Sequence, residues 1–203
     1  MRKVLIVGED RLCCTLGSRL VKECLPDWEA ASDPIDAGGI TGLLKALRRY
    51  AAQARNVQPV LCIADTDRRC TRDILQKHLP KEAPPGFLWR LAVPEAESWV
   101  LADRAMFAEY LRVPKDKIPT VTDNIFDPKR LILNLVQRSK ERRFRNEMVS
   151  ERDPSKPGTG YNLHLSQFVA QAWRVEEARL TSESLQRAHT SLERLAQQGK
   201  ETP

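Results

Sequence analysis

The first apolar run, Lys3-Val-Leu-Ile-Val7, is short and continuous, and Gly8-Glu9-Asp10 closes it. That is the pattern of a strand covered on both faces. Leu12, Leu16, Leu20, Val21 and Leu25 recur at helical spacing over residues 11–25, and Pro26 ends them. Trp28 to Ile35 reads as a weaker strand. Gly38-Gly39 opens a helix that runs through about residue 55, with Leu43, Leu44, Leu47 and Tyr50 on one side. Pro59-Val-Leu-Cys-Ile-Ala64 is a second strong buried strand. Thr71 to about Leu79 is a helix, stopped by Pro80 and the Pro84-Pro85-Gly86 turn. Phe87-Leu-Trp-Arg-Leu-Ala-Val93 is a further strand, and helical spacing resumes from about Pro94 to Leu111. This alternation predicts an α/β fold, a mainly parallel sheet with helices on both faces.

After Val113 the pattern changes. Residues 114–128 hold three prolines and form a loop or boundary. Lys129 to about Arg145 reads as one basic helix. Residues 150–160 are a flexible loop by composition. Leu165 to Trp173 and Ser182 to Gln197 are two more helices, the second capped by Thr181 or Ser182. Residues 1–113 are therefore expected to form the α/β unit, and residues 114–203 a basic helical extension packed on it. No internal repeat is visible.

Two hundred and three residues at 41% hydrophobic suffice for one medium domain, or one with a small appendage. No apolar run is long enough to cross a bilayer, and Lys3–Val7 is too short for a signal peptide. The five cysteines show no Cys-x-x-Cys spacing, which argues against a disulfide framework or a zinc site. Reduced thiols in a cytoplasmic chain fit instead. The three histidines, 78, 164 and 189, lie far apart. The net charge of +6 is uneven: 15 Lys/Arg against 14 Asp/Glu over residues 1–103, but 18 against 13 over residues 104–203. The basic groups are densest at Arg138, Lys140, Arg142, Arg143 and Arg145. They offer a polyanion-facing surface, with solvated helix surface as the plainer alternative.

The acids sit where chemistry would need them. In open parallel sheets, ligands bind at the carboxyl ends of strands. The first strand is followed by Glu9 and Asp10, the third by Asp65-Thr-Asp67, the fourth by Pro94-Glu95-Ala-Glu97. In extended backbone Asp65 and Asp67 would point to the same side and offer two oxygens to a hard cation such as Mg²⁺. Asp10 reads more simply as a helix cap; Glu95 reads equally well as one. Three acidic strand ends with no lysine among them would repel strongly without a cation. The Asp-x-Asp does not match the haloacid-dehalogenase pattern, which follows the first strand. A nucleotide-sugar transferase would leave Glu9 unexplained. Phosphate-binding glycine patterns are absent. Trp99 reads as core, and Asp103, His164, Tyr161 and Asn162 as structural groups.

Glu9 in Val-Gly-Glu-Asp, with Asp65 and Asp67 in Ile-Ala-Asp-Thr-Asp some fifty residues on, resembles the Toprim (topoisomerase–primase) domain. Pro94-Glu-Ala-Glu-Ser-Trp-Val-Leu-Ala-Asp103, Gly160-Tyr-Asn-Leu-His-Leu-Ser-Gln-Phe-Val and Ser182-Glu-Ser-Leu-Gln-Arg-Ala narrow the likeness. They are similar to small stand-alone bacterial Toprim-like proteins related to the Toprim half of overcoming-lysogenization-defect nucleases. The resemblance covers most of the chain. Many Toprim proteins read Glu-Gly-Lys after the first strand; here Gly8-Glu9-Asp10 lacks the lysine, and Arg68, Arg69 or Lys156 stand as replacements.

The resemblance implies a Toprim-like Rossmannoid fold and Mg²⁺-dependent (or Mn²⁺-dependent) phosphoryl transfer on nucleic acid. Asp65 and Asp67 would hold the metal, and Glu9 would be a ligand or general acid/base. Glu95 and Glu97 would complete a second metal position. No tyrosine is placed as a topoisomerase nucleophile, and the length does not supply a primase's further domains. Hydrolysis of DNA or RNA is therefore the expected reaction. Arg138, Lys140, Arg142, Arg143, Arg145 and Lys156 would contact the nucleic acid. Small Toprim proteins often work beside an ATPase, and this chain has no ATP-binding motif of its own. That fits an effector subunit in antiviral defence, with oligomeric state left open. The alternatives are a non-catalytic nucleic-acid- or protein-binding subunit, and an enzyme acting on a small phosphate ester.

Overall fold

The computed structural model describes residues 1–201, with side chains described through residue 199. Five strands form one all-parallel sheet: β1 (Arg2–Gly8), β2 (Trp28–Ala30), β3 (Ile35–Asp36), β4 (Val60–Asp65) and β5 (Phe87–Ala92). β4 pairs with β1 on one side and β5 on the other, with Gly8 opposite Ile63 and Asp65 opposite Ala92. β2 and β3 pair with successive halves of β1. The expected single strand from Trp28 to Ile35 is thus two short ones. Pro34 lacks the N–H a ladder needs, so the chain leaves the sheet between them.

Helices cover both faces, as the alternation predicts. α1 (Arg11–Cys24) packs on one face through Leu12, Leu16 and Leu20. α2 (Ile40–Asn56) packs on the other through Leu43, Leu47 and Tyr50, with α3 (Thr71–His78) contributing Ile74. Gly17 lets α1 approach closely, since a Cβ there would lie 2.7 Å from Ile6 Cγ2.

The expected helix from Pro94 to Leu111 is broken into α4 (Ala96–Ala102) and α5 (Arg104–Tyr110). Asp103 sits at the break, accepts the Met106 N–H and is gripped by Arg174 through Nε and Nη2 at 2.8 Å each. A carboxylate serving as cap and buried partner stops the first helix and starts the second. Residues 114–127 carry two 3₁₀ turns within an otherwise irregular segment.

The basic helix expected over Lys129–Arg145 is also two: α6 (Pro128–Val136) and α7 (Arg142–Met148). Ser139 is buried between them. Its hydroxyl donates to the Leu111 carbonyl at 2.6 Å and accepts the Glu141 N–H at 3.1 Å. α8 (Tyr161–Gln171), a short α9 (Val175–Ala178) and α10 (Glu183–Glu201) complete the chain, with Ser182 capping α10 through the Leu185 N–H.

Among the described residues, those up to 113 and those after it share one core. One continuous apolar cluster runs from Val4 to Leu195 on the α1 face of the sheet. Trp99, fully buried, donates through Nε1 to Ser184 at 2.8 Å, and its carbonyl accepts Trp173 Nε1 at 2.9 Å. The described residues after 113 therefore pack on the α1 face of the sheet and supply about half of that apolar cluster. All five cysteines are unpaired. Among the described residues no helix is long and apolar enough to cross a membrane.

Candidate functional site

The chain leaves β1 toward β2 and β3 on one flank, then crosses to β4 on the other. The carboxyl ends of β1 and β4 therefore form the switch point of the sheet, where open parallel sheets leave a crevice. Glu9 extends β1 by one ladder bond, its N–H donating to the Ile63 carbonyl at 2.8 Å. Its Oε2 accepts the Asp65 N–H at 3.0 Å. Asp65, the last residue of β4, accepts the Ala96 N–H through Oδ1 at 2.8 Å, which ties β4 to the start of α4. Two carboxylates thus stitch together the loops after three strands.

Glu97 lies in the first turn of α4 and is only 4% exposed. Lys129 Nζ is 3.5 Å from its Oε1, and the hydroxyl of buried Tyr161 donates to the same oxygen at 3.3 Å. Glu95 holds the N-cap position of α4 without making a cap bond, and its Oε2 is buried with no hydrogen-bond partner. Pro94 precedes the helix rather than lying in its first turn. Asp10 is the helix cap that its position suggested, accepting the Cys13 N–H at 2.8 Å.

These acids share one electrostatic environment. Burial, then Glu97, Glu9 and Asp10, push the Asp65 carboxyl up to about 8. Burial raises Glu9, against the Asp65 N–H and with Asp67 and Asp10 adding to it. Burial and then Glu97 raise Glu95, while Lys129 works against the rise. Burial also raises Glu97, with Lys129 again opposing. For Lys129, burial pulls down but the facing Glu97 and Glu95 more than offset it, leaving it raised.

No family model, curated protein or solved structure matches this chain.

Glu9, Asp65, Glu95 and Glu97 come together at one sheet edge. Asp67 does not share a face with Asp65 as an extended backbone would require. The strand ends at Asp65; the N–H groups of Thr66 and Asp67 both reach the Pro94 carbonyl, and Asp67 turns left-handed at φ 48°. Its side chain is 53% exposed and pairs with Arg69 at 3.2 Å. The expectation that no lysine neutralises the cluster is also overturned, because Lys129 arrives from α6. Neither it nor Tyr161 was expected at the site. Both are distant in sequence, and only the Pro128 start of α6 and the Gly160 start of α8 hinted at helix ends there.

Of the basic run, Arg138, Lys140 and Arg142 are exposed. Arg143 pairs with Glu147 at 3.2 Å, and Arg145 donates to the Ser139 carbonyl. Lys156 pairs with Asp153 at 3.5 Å within its own loop. The run begins past the end of α6 opposite Lys129, so the nine-residue helix, about 13 Å long, separates it from the carboxylates. His164 is buried and its Nε2 lies 2.6 Å from Glu147.

An all-oxygen, mutually repelling donor set with one orphaned carboxylate oxygen suits a hard divalent cation. Among the described residues, no three His, Cys, Asp or Glu side chains already converge at ligand spacing. The Cys13 thiol, at 3.9 Å, donates to the same Asp65 Oδ1 that accepts the Ala96 N–H, which leaves Oδ2 for a ligand shell.

Proposed function

We propose that this chain is a metal-dependent phosphodiesterase acting on nucleic acid. The carrying observation is that consecutive parallel strands deliver Glu9, Asp65 and the Glu95/Glu97 pair to the switch point, where burial and mutual repulsion raise their proton affinities. Such a cluster releases strain by binding either protons or a cation. In this reading Glu9 and Asp65 hold Mg²⁺ or Mn²⁺, with Glu95 and Glu97 serving a second position; Asp67, turned out toward Arg69, lies outside that donor set. When bound, the ions stabilise charge developing on the scissile phosphate and acidify the attacking water. The chain's own groups orient the ester: Lys129, half exposed, reaches in to Glu97, while Arg68 and Arg69 occupy the loop after β4. The exposed Arg138, Lys140 and Arg142 are placed to hold a phosphate backbone further along. The Toprim resemblance extends the reading to a cytoplasmic effector gated by an ATPase partner in antiviral defence.

One observation favours a second reading. Lys129 neutralises part of the cluster internally, so the chain could bind nucleic acid or protein without cutting. The two readings separate in one experiment. Purified protein is incubated with plasmid, single-stranded DNA and RNA in Mg²⁺, Mn²⁺ or EDTA, alongside Asp65→Asn. The variant keeps side-chain shape and the Ala96 N–H contact but loses one charge, so cleavage should fall by at least about a hundredfold without a drop in melting temperature. Metal-independent cutting, or undiminished cutting by Asp65→Asn, removes the metal-nuclease reading. Wild-type inactivity on every substrate favours the binding reading.

A further inference from the structure

Phe126 is 74% exposed, although Ile125 before it and Pro128 after it are buried. Its backbone is held firmly. Ile125 N–H bonds the Thr122 carbonyl at 3.1 Å, and Asp127 caps α6 through the Arg130 N–H at 2.8 Å. A cation stands over its ring: the Arg68 guanidinium lies 4.3 Å from the centroid. Arg68 reaches there because Asp67 and Arg68 are consecutive non-glycine residues in the left-handed region, at φ 48° and 64°. That backbone is unfavourable for ordinary side chains, and it folds the loop after β4 over the segment before α6. With Arg68 on one face and the residue still largely exposed, the opposite face of the ring is open.

The platform adjoins the carboxylates from both sides. Asp67, next to Arg68, donates its N–H to the Pro94 carbonyl at 3.0 Å, just before Glu95, and Lys129, three residues after Phe126, pairs with Glu97 at 3.5 Å. The cation on the ring is Arg68; Arg69 and Lys129 nearby in the chain are held by Asp67 and Glu97. A flat apolar face backed by a cation fits a group that is itself flat, aromatic and flanked by anions. A nucleobase in a phosphodiester chain has that character, and base–aromatic stacking is the common device of single-strand binding. A base inside a duplex has its faces covered by its neighbours, so only an unpaired base can lie on Phe126.

We infer that Phe126, backed by Arg68, is a stacking platform for an unpaired nucleobase beside the carboxylate cluster. This rests on the reading of the site as one that acts on nucleic acid and narrows its substrate class to single-stranded segments. Binding is measured by fluorescence anisotropy in EDTA, so that cleavage plays no part. The probes are labelled twelve-nucleotide DNA and RNA single strands, the matching DNA duplex, and an abasic single strand. Phe126→Ala should weaken binding to a base-bearing single strand by at least about fivefold. It should leave duplex and abasic affinities within about twofold of wild type. Phe126→Trp should retain single-strand affinity. The arm showing the larger loss, DNA or RNA, identifies the sugar. Equal single-strand affinity of wild type and Phe126→Ala overturns the proposal, as does an equal loss on the abasic strand. Failure of every cleavage assay alongside a Phe126-dependent binding loss removes hydrolysis and keeps the platform. Metal-dependent cleavage with no such loss does the reverse.

Discussion

Replacing Asp65 with Asn tests the electrostatics of the cluster without any substrate. Asp65→Asn keeps an oxygen to accept the Ala96 N–H at 2.8 Å, and the buried side chain keeps its volume. What it removes is the proton equilibrium. In the folded chain burial, then Glu97 and Glu9, hold the Asp65 carboxyl near 8; in the unfolded chain it titrates at about 3.9. The folded state therefore binds the extra proton between those values, so stability is fully present below about pH 4. It is lost as pH rises toward 8. The slope is about 1.4 kcal/mol per pH unit for one proton, so wild type should lose roughly 2.5 kcal/mol between pH 5 and pH 7. The assay is urea unfolding in EDTA at half-unit steps, wild type beside Asp65→Asn. The variant should lie above wild type at pH 8 and show a flatter profile, with a residual slope of the same sign from Glu9, Glu95 and Glu97. Parallel profiles would refute the reasoning, because Asp65 would then ionise as freely in the fold as outside it. Adding Mn²⁺ to wild type should flatten the profile too, since a bound cation replaces the proton.

Two further outcomes follow from the structure. Reversing Arg138, Lys140 and Arg142 to Glu should weaken nucleic-acid binding and lower the slope of log affinity against log salt by about two to three, read from anisotropy titrations at several salt concentrations. Trp99→Ala removes a fully buried indole and strands the Ser184 and Trp173 contacts. It should destabilise by about 3–5 kcal/mol, which chemical denaturation measures.

The strands and the acids after them were readable because both signals are local. A continuous apolar run bounded by Gly8 or by Asp65 needs no knowledge of the rest of the chain, and the parallel topology then sends all such ends to one edge. What stayed hidden depends on distant partners. Asp103 breaks a helix because Arg174, seventy-one residues on, grips it. Ser139 breaks another because the Leu111 carbonyl takes its hydroxyl. Lys129 and Tyr161 reach Glu97 only once α6 and α8 dock on α4. The turn at Asp67 was partly legible, since Asp tolerates left-handed backbone, but Arg68 gives no such signal. The resemblance supplied roles for Glu9, Asp65 and Asp67; the geometry gathers Glu9 and Asp65 and turns Asp67 toward Arg69.

The interior shared by both halves of the chain sets a timetable for synthesis. Trp99 and its neighbours on the α1 face are capped by Trp173, Ser184, Leu185 and Leu192. A ribosome elongating at about 5–20 residues per second needs roughly 5 to 20 seconds to pass from Trp99 to Leu192. For that interval the nascent α/β unit carries an open apolar wall. Every chain that stops early keeps that wall permanently, so incomplete products of this gene are material for chaperones and proteases rather than partial enzymes.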